Sequence, residues 1–148
     1  LKKRAYDVQG YKVGPDYIDS GFHSEITGKE SRNLDLHLMG EDGVKASFSR
    51  GNGDFGVIEG VMGLYDGIGI TEKGSTYNIS NILGDIPIVL VLTPKAQVAT
   101  LAAEINGIKN FKNANIIGVV FNAVSPKFYE LLKSTVELNC DVKVLGYT

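Results

Sequence analysis

An α/β fold with a mostly parallel, doubly wound sheet is what this sequence predicts, on three observations. Ile86-Pro-Ile-Val-Leu-Val-Leu92 and Asn115 to Phe121 are near-continuous apolar runs, the pattern of strands covered on both faces. Each is followed by a segment of helical spacing: Val98, Leu101, Ala102 and Ile105 after the first, Phe128, Leu131, Leu132 and Val136 after the second. Strands that alternate with helices are joined by crossovers, which favour parallel pairing.

Taken in order, Leu1-Lys-Lys-Arg4 reads as the tail of a helix, and Asp7 to Val13 as a short strand stopped by Gly14-Pro15. Ser31 to Met39 is a helix candidate with Ser31 as its N-cap. Asp42 to Ser49 forms a second short helix before the turn Gly51-Asn-Gly53, and Phe55 to Ile58 a strand ending at Glu59. Gly60 to Gly74 is glycine-rich and reads as a long loop, after which Ser75 caps a helix to about Leu83. The strand from Ile86 carries Pro87 at its start, where a missing N–H is tolerated. A helix from Lys95 to about Ile108 follows, then the Asn115–Phe121 strand. Ser125 and Pro126 make an N-cap and first-position pair for the next helix, and Val142 to Leu145 is a last short strand.

Composition narrows the function classes. A chain of 148 residues can bury one real core. A net charge of −2 gives no electrostatic footprint for nucleic acid or an acidic membrane. The single cysteine, Cys140, excludes an intrachain disulfide framework and points to a reducing, cytoplasmic setting. There is no run of about 18 apolar residues and no signal-peptide pattern, so neither a membrane partner nor a membrane span is expected.

In an open parallel sheet, ligands bind beyond the carboxyl ends of the strands. Lys12-Val-Gly-Pro-Asp-Tyr-Ile-Asp19 therefore stands out, with Lys12 at a strand end and Asp16 and Asp19 just after it. Glu59 ends the second strand, where a carboxylate suits Mg²⁺ directly or through water, and Asn122 follows the fourth. These segments are expected to meet at one edge of the sheet. The residues alone leave plainer roles open: Pro-Asp pairs form turns, and a loop-start glutamate can simply be solvated. Gly67-Ile-Gly69 lacks the rest of a dinucleotide fingerprint, which removes NAD. His23 and His37 lack metal-ligand spacing, His37 reads as a surface or satisfied residue, and Cys140 as a filler near the last strand.

Several segments, taken in order, resemble one family. Lys12 to Asp19, Gly21-Phe-His23, Thr27-Gly28, Ser31-Arg-Asn-Leu-Asp35, Val57-Ile-Glu-Gly-Val-Met-Gly-Leu-Tyr-Asp-Gly67, Gly118-Val-Val-Phe-Asn122 and Val144-Leu-Gly-Tyr147 are similar to cobyrinic acid a,c-diamide synthases. The wider relatives are the dethiobiotin-synthetase-like P-loop enzymes, whose sheet and ATP site the resemblance implies. It also implies that residues 1–148 are part of an ATP-dependent synthetase (amidoligase) domain. No Gly-x-x-x-x-Gly-Lys-Ser/Thr occurs in the chain, so the family's first strand and phosphate loop are expected to be absent. The family's glutamine amidotransferase domain is likewise expected to be missing, since Cys140 does not match its nucleophile.

The reaction the resemblance implies is ATP-dependent amidation of the a and c carboxylates of cobyrinate, a corrin, in cobalamin biosynthesis. Transfer of the γ-phosphoryl group makes an acyl phosphate that ammonia from glutamine displaces. Cations must offset the repulsion of two anions, so ATP and Mg²⁺ are the implied cofactors. Glu59 and Asp35 are the implied metal carboxylates, and Asn122 the residue that would hold adenine. Lys12, Asp16, Asp19, Glu59 and Asp66 form the implied catalytic set, with Tyr17 and Tyr65 beside the corrinoid. A homo-oligomer is left open. Alternatives are amidation of another tetrapyrrole, such as a nickel sirohydrochlorin, or a non-catalytic nucleotide-switch ATPase. The fragment alone is expected to be inactive.

Overall fold

The structure is a computed structural model that describes residues 1–148. The chain divides into two compact units, Leu1–Gly84 and Asp85–Thr148. All strand pairs are parallel, as expected, and the six strands lie in two sheets of three.

In the first unit the strand order is β2-β1-β3, with β1 Val8–Val13, β2 Arg32–Leu34 and β3 Phe55–Glu59. The middle strand β1 is buried along its whole length, including Gln9 and Lys12. Alternate residues face opposite ways. Tyr11 and Val13 join Leu34, Leu36, Val44 and Ile79 in a core covered by α2 (Leu36–Ser49) and α3 (Thr76–Ile82). The Tyr11 hydroxyl donates to the Phe48 carbonyl at 2.9 Å, which satisfies its one polar group. Gly10 and Lys12 face α1 (Ile18–Thr27) instead. The middle strand is thus covered on both faces, while β3 stays largely exposed.

The predicted helix over Ser31–Met39 is corrected. Residues 32–34 pair with Tyr11–Val13 as β2, and helix α2 begins only at Leu36. Its cap is Asp35, whose Oδ1 accepts from the amides of His37 (2.8 Å) and Leu38 (3.1 Å). The gap between the two expected short helices is a break at Gly40 (φ 65°, ψ 178°), a conformation open to glycine. Helix α1 has no counterpart among the elements the sequence predicts, which place only the Gly14-Pro15 stop before it. Ser75 does cap α3, accepting from the Asn78 amide at 3.1 Å, and residues 60–74 carry no helix or strand.

In the second unit the order is β4-β5-β6: Ile88–Leu92, Ile116–Phe121 and Lys143–Tyr147. Helices α4 (Ala99–Phe111) and α5 (Pro126–Asn139) supply Leu101, Ala102, Ile105, Leu132 and Val136 to a core with Leu90, Val119 and Phe121. The expected Lys95 start moves to Ala99, after a turn in which Ala96 takes φ 53°. Ser125 caps α5 with Pro126 inside its first turn, as the sequence predicts. Cys140 is buried with its Sγ 3.4 Å from the Ala102 carbonyl, and burial pushes its thiol up despite Lys109. It is a packed thiol, in keeping with a filler role.

Candidate functional site

The carboxyl edge of the first sheet gathers Lys12, Asp19 and Glu59. Lys12 is one residue from the end of β1 and is only 4% exposed. Its Nζ lies 2.9 Å from Asp19 Oδ2 and 3.3 Å from Glu59 Oε1, and donates to the Gly60 carbonyl at 3.0 Å. An ammonium has three protons, and these three acceptors match them. Burial pulls the Lys12 pKa down. The hydrogen bonds and charges of Asp19 and Glu59 outweigh that, so the ammonium titrates above the ordinary lysine value.

Asp19 and Glu59 are less enclosed, with side chains 40% and 49% exposed. Two carboxylates therefore share one buried ammonium and leave an excess negative charge turned toward solvent. Glu59 is fixed from a second side by His23, whose Nε2 lies 2.5 Å from Oε2. Asp19 and His23 are four residues apart on α1 and so share one face of the helix. The sequence reading set His23 aside for lack of metal spacing. The signal was there, but became legible only once residues 18–27 were known to be helical.

Asp16 holds the start of α1: its Oδ1 accepts from the Asp19 amide at 2.8 Å. Its carbonyl accepts from Asn33 Nδ2 at 2.7 Å, and the Ser20 hydroxyl, with one proton to give, lies between that carbonyl (3.0 Å) and Asn33 Oδ1 (2.6 Å). The turn-forming role that Pro-Asp allows is thus realised at Asp16, and it sets the position of Asp19. Tyr17, next to it, is 91% exposed. Asp35 points its carboxylate into the first turn of α2, as described above, and is buried.

Asp66 and Tyr65 lie in the loop after β3. Asp66 Oδ2 accepts from the Gly63 amide at 3.1 Å, and the Tyr65 ring packs against Tyr77 with centroids 5.0 Å apart. Asn122 directly follows β5 of the second unit, whereas Lys12 on β1, Asp19 on α1 and Glu59 on β3 belong to the first. Its amide ties three strand ends together, donating to Thr93 Oγ1 at 3.2 Å and accepting from Thr148 Oγ1 at 2.7 Å. His37 is exposed, in keeping with a surface role.

No group of three or more His, Cys, Asp or Glu side chains is placed to hold a metal. Asp19 and Glu59 are nonetheless hard oxygen donors, half-exposed and with charge in excess of Lys12. That suits Mg²⁺, which keeps several waters and is held by one or two carboxylates together with phosphate oxygens.

No family model matches the chain. Individual relatives do. It is 63% identical to the cobyrinate a,c-diamide synthase of Clostridium tetani over 99% of this chain and 33% of that protein. It is 61% identical to the protein of that name in Clostridium acetobutylicum, over 99% of this chain and 34% of the other. The Sulfolobus acidocaldarius protein of the same name is 45% identical over 99% of the chain and 33% of its own length. The chain thus spans about a third of the length of the curated relatives it matches. Over the residues it spans, the chain belongs to the cobyrinate a,c-diamide synthase family.

Proposed function

We propose that this chain contributes the carboxylate-activating half of a site that amidates the a and c carboxylates of cobyrinate in cobalamin biosynthesis. The observation that carries the reading is the near-complete coverage of the chain by proteins named cobyrinate a,c-diamide synthase. The Lys12–Asp19–Glu59 cluster at the carboxyl edge of a parallel sheet supports placing the chemistry there.

A carboxylate is a poor acyl donor, because its leaving group would be oxide or hydroxide. In the proposed reaction its oxygen takes the γ-phosphoryl group of ATP and ADP leaves. Ammonia derived from glutamine then attacks the carbonyl carbon, and phosphate leaves with the acyl oxygen. Lys12, pinned by three acceptors, keeps a fixed positive charge beside the meeting point of two anions. Glu59, with Asp19 nearby, would hold Mg²⁺, which supplies charge neutralisation on the phosphate oxygens when bound. Asp16 keeps α1, and hence Asp19, in register with Lys12. Tyr17 offers a solvent-exposed aromatic face of the kind that packs on a flat macrocycle. Tyr65 and Asp66 would orient the substrate from the loop after β3. In the second unit, Asn122 keeps hydrogen-bonding capacity beyond its bonds to Thr93 and Thr148.

The test is amidation of cobyrinate by the intact protein, with ATP, Mg²⁺ and glutamine supplied. Glu59→Gln is expected to lower turnover by about 10²-fold or more, the scale of losing one electrostatic stabiliser. Its thermal midpoint should fall far less than its turnover, since glutamine keeps an accepting oxygen for Lys12. Parent-like turnover in Glu59→Gln would end the assignment. Amidation of a different tetrapyrrole in preference to cobyrinate would move the substrate and leave the mechanism.

A further inference from the structure

Glu59 is the one carboxylate of the cluster whose two oxygens are held by different side chains. Oε1 faces Lys12 Nζ at 3.3 Å, and Oε2 faces His23 Nε2 at 2.5 Å. The two donors come from different elements, Lys12 from β1 and His23 from α1, while Glu59 ends β3. The carboxylate plane is thus set by two points. A glutamate fixed by Lys12 alone keeps the freedom to rotate about its terminal torsion, which is broad.

The surroundings of His23 are built to hold the ring. Its Nδ1 lies 3.3 Å from Ser31 Oγ, just before β2. With Nε2–H directed at Glu59, a neutral ring offers Nδ1 as the acceptor for the Ser31 hydroxyl. Helix α1 reaches the sheet at Gly10 of β1, where an added Cβ would lie 3.0 Å from His23 Cβ and 3.4 Å from Ser31 Oγ. The absence of a side chain at Gly10 is what lets the imidazole descend to the level of Glu59. The Thr27 hydroxyl, donating to the His23 carbonyl at 2.7 Å, holds the same turn of the helix.

We propose that His23 is a positioning residue. Through Nε2 it fixes the Glu59 carboxylate in the orientation that meets a divalent cation, with Ser31 and Gly10 as its supports. The inference rests on the reading of Glu59 as a cation-holding carboxylate. Hydrogen-bonding partners of ligating groups orient the ligand, and their loss typically weakens metal affinity by about 10–100-fold.

The experiment titrates Mn²⁺, as a paramagnetic stand-in for Mg²⁺, into the intact protein with ATP present, reading free Mn²⁺ by electron paramagnetic resonance. His23→Ala should raise the apparent Mn²⁺ dissociation constant about tenfold or more. His23→Gln, whose amide N–H can still reach Glu59, should recover most of that loss. Ser31→Ala should shift the constant in the same direction by less, and it carries the test with His23→Gln if the alanine variant does not fold. A purely structural His23 would lower the thermal midpoint and leave Mn²⁺ affinity at the parent value. That result, or a glutamine variant no better than alanine, would overturn the proposal. Glu59→Gln, run in parallel, separates the two layers. Loss of Mn²⁺ affinity in Glu59→Gln with none in His23→Ala removes the His23 role alone. Parent affinity in Glu59→Gln removes the role of Glu59 as cation holder, and that of His23 with it.

Discussion

Lys12 concentrates the physical tension of this chain in one side chain. Burying an ammonium is costly, and only its three acceptors make the position tenable. Lys12→Met keeps the volume and removes the charge, leaving Asp19 and Glu59 facing each other without a counter-ion. Both are partly solvated, so the expected loss of stability is moderate, about 1–3 kcal/mol. Urea midpoints of the two proteins at neutral pH check this. The same pair predicts a pH dependence. The folded-state pKa of Lys12 lies above its unfolded value of about 10.4. Its contribution is therefore complete below that value and is lost as pH rises through the higher folded pKa. The midpoint gap between parent and Lys12→Met should be constant up to about pH 10 and shrink above it. Tyr11, whose phenol is also pushed up by burial, is present in both proteins and cancels in the difference. A gap that widens with alkaline pH would contradict the assigned sign.

At the scale of elements, what the sequence made legible was whatever carried its own local signal. The runs at 86–92 and 115–121, and the serine caps at 75 and 125, became elements close to where their patterns placed them. Segment 31–39 failed because strand β2 is three residues long and owes its form to pairing with β1, a partner distant in sequence. Helix α1 was hidden for the converse reason. Its N-cap position is Tyr17, which offers no side-chain cap, and the carboxylate that holds its first turn is Asp16, one residue earlier, inside Pro-Asp, a pair otherwise read as a turn. The site followed the elements: Lys12, Asp19 and Glu59 were legible as strand-end residues, whereas His23 needed the helix. Asp35 gives a test at this scale, because its carboxylate caps α2. Asp35→Ala should cost about 1 kcal/mol, the usual loss for a helix cap, whereas Asp35→Asn keeps an accepting oxygen and should stay within a few tenths. Chemical denaturation checks both. If Asp35→Asn keeps its stability but loses Mn²⁺ affinity in the titration described above, Asp35 belongs with the cation-holding carboxylates as well. Gly10→Ala probes the seat of α1 on β1. The crowding of His23 should cost about 1–3 kcal/mol, as overpacking does. It should also weaken Mn²⁺ binding in the direction of His23→Ala, which a loss of packing alone would not do.

For the whole molecule, the charge distribution is unremarkable and the apolar surface is not. No helix is long and apolar enough to cross a membrane, so the exposed apolar side chains need another account. On α1, Ile18, Phe22 and Ile26 are 68%, 65% and 67% exposed, and their spacing of four places them in one row along the helix. On the strands, Phe55 and Val57 of β3 and Val89 and Val91 of β4 are also exposed, on chains that each pair along one edge only. Single exposed apolar residues are ordinary, but a row of three on one helix is the kind of patch that drives association. Unpaired strand edges add backbone groups that a second chain can satisfy. A net charge of only −2 offers little repulsion to oppose that contact. The 148-residue chain is therefore expected to associate as its concentration rises, and sedimentation velocity over a hundredfold range (roughly micromolar to 100 micromolar, where such weak contacts show) should reveal it. Phe22→Glu places a charge in the middle of the α1 row, on a side chain that is already mostly in solvent. It should move the distribution toward monomer without lowering the thermal midpoint. Val57→Lys, on β3, probes the strand edge separately, since a charged edge resists pairing. If Phe22→Glu shifts the distribution and Val57→Lys does not, association runs through the helix face. The reverse result assigns it to the sheet edge, and a chain that stays monomeric throughout the range would show that neither surface is adhesive.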